Sequence, residues 1–163
     1  MMPDLISMEG DWADSLEQVY QCFKDTLVTQ IVRFENKPVS CPFQPSDEGK
    51  HHSFWHCVTG EVNGKRVLDF RRCERVSWIS WMIENAGTHQ DVLVRKVSSK
   101  GRVRSLLMHP AERYLVVLEE RTKYFNLVTT IHLSEARRDK HLADYRASLQ
   151  ANISGHQKGR SRP

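Results

Sequence analysis

"DVLVRKVSSKGRVRSLLMHPAERYLVVLEERTKYFNLVTTIHL", residues 91–133, carries the strongest fold signal in the chain. Four runs within it, "DVLVRKV", "RVRSLLMH", "RYLVVLEER" and "YFNLVTTIHL", are rich in β-branched and aromatic residues and are separated by "SSKG", "PAE" and "TK". Such side chains fit a pleated, half-buried surface, and connections this short reverse the chain into hairpins. The stretch therefore predicts a four-stranded antiparallel meander.

Outward from it, the periodicity changes. Trp12, Leu16, Val19, Phe23, Leu27 and Ile31 recur at helical spacing, with Asp11 placed to cap and Asp14 to complement the first turn, which predicts a helix over about 12–32. Asn36, Pro38, Pro42, Pro45 and Gly49 then interrupt any regular pattern, so 34–49 reads as a loop with one short extended piece. "HHSFWHCVTGEV", residues 51–62, groups Phe54, Trp55, Cys57 and Val58 and reads as a strand, with "NGK" turning the chain after it. In "LDFRRCERVSWISWMIENAG", residues 68–87, Asp69 caps, Val76, Ile79 and Ile83 form one apolar row, and Asn85 and Gly87 stop a helix of about four turns. Ser134 starts a last helix whose Arg138, Leu142, Tyr145 and Leu149 share a face. The expected class is α+β: N-terminal helices packed on a four-stranded antiparallel sheet and closed by a C-terminal helix.

A chain of 163 residues suits one well-packed domain, taken as 1–150, followed by a basic tail over 151–163 with the composition of a disordered end. No apolar run approaches the roughly 18 residues a spanning helix needs, and the start lacks a secretory pattern, so a cytoplasmic protein without a membrane partner is expected. Cys22, Cys41, Cys57 and Cys73 stand singly, without zinc or disulfide spacing, and read as reduced packing thiols. The net charge of +4 is mild, but Arg95, Lys96, Lys100, Arg102 and Arg104 fall together with no acid among them. Such a local field attracts a polyanion.

On the 68–87 helix, Arg71 and Arg75 lie off the apolar row and Arg72 at its N-terminal end. Like charges four residues apart, at the positive end of a helix dipole, are locally unfavourable yet suited to a phosphate. The competing reading, arginines covering apolar surface or pairing with Glu74, carries equal weight on this stretch alone. His51, His52 and His56 offer imidazoles for proton transfer, although any one of them is more often structural; zinc on His52, His56 and Cys57 lacks a second ligand cluster. In the last strand, Tyr124, Asn126, Val128, Thr130 and His132 alternate with Phe125, Leu127, Thr129 and Ile131, and the first face is polar enough to line a groove or simply to be wetted.

Taken together, "SFWHCVTG", "LDFRRCERVSWISWMIENAG", "VLVRK" and "YLVVLEERTKYFNLVTT" resemble the phage and prophage proteins of the barnase, EndoU, colicin E5/D and RelE-like nuclease group, over about 12–145. That resemblance implies metal-independent RNA cleavage by attack of a ribose 2′-hydroxyl, without a cofactor, in a groove between the helical part and the sheet. It implies a site made of His56, Arg71, Arg72, Glu74, Arg75 and Thr129 or Thr130, with Glu74 as base or orienting partner. Arg95, Lys96, Lys100, Arg102, Arg104, Trp78 and Tyr124 would then bind RNA, whether tRNA or ribosome-bound mRNA, inside a bacterial host that holds an antitoxin or a target protein. Two rivals stand beside it: a nucleic-acid-binding module without catalysis, and a phage protein that binds and modulates a host protein.

Overall fold

A computed structural model describes residues 1–159, with side chains through residue 152. The meander is present as β5 (Leu93–Ser99), β6 (Arg102–His109), β7 (Tyr114–Glu120) and β8 (Phe125–His132), each antiparallel to the next. Lys100 and Gly101 turn the first hairpin with φ of 52° and 75°, values that match a two-residue loop to the strand twist.

The sheet itself is not the four-stranded antiparallel one that the sequence suggests. Two further strands, β1 (Arg33–Phe34) and β2 (Lys37–Ser40), extend it to six in the order β1-β2-β8-β7-β6-β5, and β2 runs parallel to β8 through Val39 and Ser40. The sheet is therefore mixed, and it curls into a half-barrel. Across the opening, Lys96 of β5 reaches Glu35, in the β1–β2 turn, at 2.7 Å. The prolines that mark 34–49 as a loop hide β2. Pro38 sits at a pairing position opposite Arg33, and the parallel register with β8 spans most of the chain, where no local pattern can announce it. A separate hairpin, β3 (Thr59–Val62) and β4 (Lys65–Leu68), turns at Asn63 and Gly64 as expected.

Residues 52–58, predicted as a strand, form α2 (His52–Val58). Its buried residues Phe54, Cys57 and Val58 follow an i, i+3, i+4 pattern, and burying that stripe outweighs the β propensity of the aromatic cluster. The first helix, α1 (Trp12–Phe23), is capped by Asp11, continues as a π-turn over Lys24–Val28 and stops short of residue 32. The 68–87 helix breaks at Arg75 into α3 (Phe70–Glu74) and α4 (Val76–Asn85). Arg75 adopts φ −105° and ψ 10°, and its carbonyl accepts from the Trp78 N–H at 2.9 Å, which opens α4, and from the Tyr114 hydroxyl at 3.3 Å.

The main core lies inside the curl, where Val19, Phe23, Phe54, Ile79, Met82, Leu107, Leu118 and Phe125 are buried. A smaller cluster of Met108, Leu115, Val117 and Leu133 occupies the outer face beneath α5 (Glu135–Gly159). Leu142 packs on that cluster, and the Ser134 side chain accepts from the Arg137 N–H, as its capping position predicts. The expected tail begins in the last turns of α5, and residues 160–163 lie outside the described residues.

Candidate nucleic-acid interface

The edge of β8 beyond Asn126 is not paired to β2, and α2 packs there. A helix leaves its last four carbonyls without intrahelical donors. All four in α2 are satisfied: Trp55 by the N–H of Thr59, His56 by the Thr129 hydroxyl at 2.7 Å, Cys57 by the Thr130 hydroxyl at 2.9 Å, and Val58 by the N–H of Asp69 at 2.8 Å. Two successive threonines can serve one helix end because the β7–β8 register shifts at Val117/Leu118, which breaks the alternation at this point of β8. That break overturns the expected two-face division of the last strand: Thr130 is fully buried in the core, while Thr129 borders the outer face.

Docked this way, α2 turns His52 and His56 into a notch of about 240 Å³ that Arg102, Arg104, Glu119 and Asn126 also line. The two imidazoles sit one helical turn apart with ring centroids at 4.4 Å. Burial, then the charge of Arg66, then that of His52, hold the His56 pKa below its ordinary value. Arg104, Glu119 and Asn126 are cross-strand neighbours on β6, β7 and β8. Glu119 is 5% exposed and faces three guanidinium groups, Arg121 at 2.8 Å, Arg104 at 3.4 Å and Arg102 at 3.9 Å. One carboxylate against three cations holds Arg121 closely, draws Arg104 and Arg102 toward it, and leaves their summed charge positive.

Arg102 and Arg104 also line a second, larger hollow of about 730 Å³ on the outer face, under the first turns of α5. Lys100 is on its rim, Arg137 and His141 are its α5 side, and Thr129 stands where it meets α2. Notch and hollow together cross β8 to β5, three interstrand spacings or about 14 Å.

Of the residues singled out in the sequence, His56, Arg102, Arg104, Lys100 and Thr129 are brought to this surface. The arginines of α3 are elsewhere. Arg72 donates to the Thr59 carbonyl and lies 3.4 Å from Asp69, and burial lowers its pKa. Arg75 donates to the Arg71 carbonyl and to Glu74, with its guanidinium 5.0 Å from the Trp78 ring. Arg71 is exposed, and Arg71 and Arg75 act on His132, which burial and these cations push down to about 4. Trp78 is buried and donates to the Pro3 carbonyl at 2.7 Å. Lys96 lies on the concave face, Arg95 faces Asp144 at 3.8 Å beside the hollow, and Tyr124 is exposed in the β7–β8 turn. Cys57 is fully buried, away from the notch that His52 and His56 face.

His52, named among the three candidate imidazoles, and Asn126, named on the polar face of the last strand, join the site, as do Glu119, Arg137 and His141, which the sequence does not single out as site residues. The i, i+4 spacing of His52 and His56 carries the signal for the first, once 52–58 is a helix. Glu119 and Asn126 need the strand register. Among the described residues, no group of three or more His, Cys, Asp or Glu is placed to hold a metal ion, and no helix is long and apolar enough to cross a membrane. No family model matches the chain, and neither a curated protein nor a solved structure matches it.

Proposed function

We propose that the protein is a ribonuclease that cleaves RNA by attack of a 2′-hydroxyl on the adjacent phosphorus, acting in the cytoplasm of a bacterial host. The observation that carries this reading is the shared notch, in which two imidazoles, His52 and His56, open on the same space as Arg102 and Arg104. The arginines bind the scissile phosphate and stabilise the charge that builds on its free oxygens, a preorganised electrostatic term that is commonly the largest in catalysis. Glu119 holds them in position beforehand.

The imidazoles divide the proton work. Burial, then the charge of Arg66, then that of His52, favours the neutral form of His56, which suits it to act as the base beside a second imidazole that supplies the acid. Neutral His56 takes the 2′-hydroxyl proton as the 2′-oxygen bonds to phosphorus. The P–O5′ bond then breaks, and the 5′-oxygen takes the proton of the other imidazole. The products are a 2′,3′-cyclic phosphate and a 5′-hydroxyl, and the step requires no redox partner. A nuclease of this kind calls for a neutralising partner in its host.

The test is incubation of purified protein with RNA in EDTA, followed by end analysis. Cyclic phosphate ends, lost in His56→Ala and His52→Ala proteins that keep the wild-type circular dichroism, are expected. Ends bearing a 5′-phosphate overturn the mechanism, and RNA retention without products leaves a binding module in its place.

A further inference from the structure

The larger hollow is more than an extension of the phosphate-binding notch. Its floor is aliphatic, formed by Val97, Leu106, Leu115, Val117 and Ile131 from all four strands of the meander. Its α5 side carries Arg137 and His141, one turn apart on the same face and both ending in planar groups. Among the described residues, no carboxylate lines it. A sugar–phosphate chain has no use for an aliphatic floor, whereas a nucleobase does: one face rests on aliphatic carbon, and the other meets a guanidinium or imidazole plane, on which bases stack. Its volume, about 730 Å³, lies within the range of small-ligand pockets. Burial and the charges of Arg95 and Arg137 lower the His141 pKa, which favours the neutral ring at neutral pH.

Because Arg102 and Arg104 belong to both spaces, a phosphate held by them has His56 on one side and the hollow on the other. We propose that the hollow beneath α5 is a subsite for one unpaired nucleobase, belonging to a nucleotide next to the phosphate in the notch. A base paired in a duplex has both faces stacked and cannot enter the space between sheet and helix, so the ligand is single-stranded RNA. This rests on the nucleic-acid reading of the groove.

The experiment uses 2′-fluoro oligonucleotides, which lack the attacking hydroxyl, as an intact single strand, the same strand with abasic positions, and a duplex. Fluorescence anisotropy at low salt should show the intact strand binding roughly tenfold tighter than the abasic one, the usual worth of one stacked base, and tighter than the duplex. Val97→Trp fills the hollow from the exposed end of an edge strand, and Arg137→Ala removes the upper plane from an exposed helix position. Each should erase the difference between intact and abasic strands, with the salt dependence of the abasic strand kept in Val97→Trp. Equal binding of intact and abasic strands by the wild type overturns the subsite while leaving phosphate binding and cleavage standing. A base dependence that survives in both variants overturns its location. Failure of every oligonucleotide to bind removes the groove reading and the subsite with it.

Discussion

Replacing Thr130 with valine separates two roles that the residue could hold. Thr130 is fully buried, its hydroxyl donates to the Cys57 carbonyl at 2.9 Å, and it also meets the Tyr114 hydroxyl. Valine is nearly the same size, so the substitution opens no cavity; it removes the donor and leaves a buried carbonyl at the end of α2 unsatisfied. Such an orphan costs about 2 kcal/mol. In a domain of this length each kcal/mol moves the melting temperature by roughly 3 °C, so Thr130→Val should melt about 6 °C lower than the wild type. Thr130→Ser keeps the hydroxyl and loses one buried methyl, a cost of about 1 kcal/mol, and should melt about 3 °C lower. The order is the informative result. Thermal unfolding followed by circular dichroism measures it, and a valine variant that melts with or above the serine variant refutes the account of α2 held by its carbonyls. RNA cleavage supplies the second readout. If Thr130 acted on substrate, valine would abolish cleavage at unchanged stability, the opposite of what burial dictates.

Arg72→Met should lower stability by about 2 kcal/mol, since it removes a charge-assisted bond to the Thr59 carbonyl, yet leave the salt dependence of RNA binding unaltered; denaturant unfolding and a salt titration test the two halves. Arg104→Gln should do the reverse, reducing the slope of log K against log salt by about 0.7, one single-strand phosphate contact, with little change in melting. Burial and then Arg66 depress the His56 pKa, so the acid limb of kcat/KM should fall below pH 6.5; Arg66→Gln should raise that limb, and an unmoved limb would remove His56 as the base. His132 titrates at about 4 when folded and near 6.5 when unfolded, so the unfolded chain binds the extra proton between these values. Stability from this residue is complete above pH 6.5 and drains away as pH falls toward 4, which denaturant titrations across that window should register and which His132→Gln should reduce, leaving the smaller share of His56 and His141.

The meander was legible because each of its strands pairs with its neighbour in sequence, so alternation and short turns suffice to specify it. The capping residues Asp11, Asp69 and Ser134 were legible for the same reason: a cap bonds within three residues of itself. What escaped is non-local or depends on a competing preference. The parallel contact of Val39 and Ser40 with β8 has no sequence-adjacent cause, and the stripe of Phe54, Cys57 and Val58 becomes helical only because a buried surface waits for it on β8. The bulge at Val128 escaped too, and with it the correct faces of Thr129 and Thr130, since one extra residue reverses every later side chain.

The arginines show how a charge can be found in sequence and its availability cannot. The segment around Arg71, Arg72 and Arg75 is dense in cations at a helix start, an arrangement suited to phosphate. Folding engages Arg72 and Arg75 from within: one terminal nitrogen of each donates to the carbonyl of Thr59 or Arg71, their Nε atoms are buried, and their carboxylate partners, Asp69 and Glu74, are local. Arg102 and Arg104 come from a less conspicuous alternation on a strand, but their partner Glu119 is buried and shared among three guanidinium groups. One acid cannot neutralise three cations, so the excess field opens into the groove, beside His52 and His56. A cation's role thus follows from what consumes its donors. If that is right, Glu119→Gln should raise the affinity for RNA by freeing further positive charge and lower the cleavage rate by releasing the arginines from their fixed geometry. Paired binding and single-turnover measurements decide it, and a variant that binds and cleaves as the wild type does would show that Glu119 organises nothing.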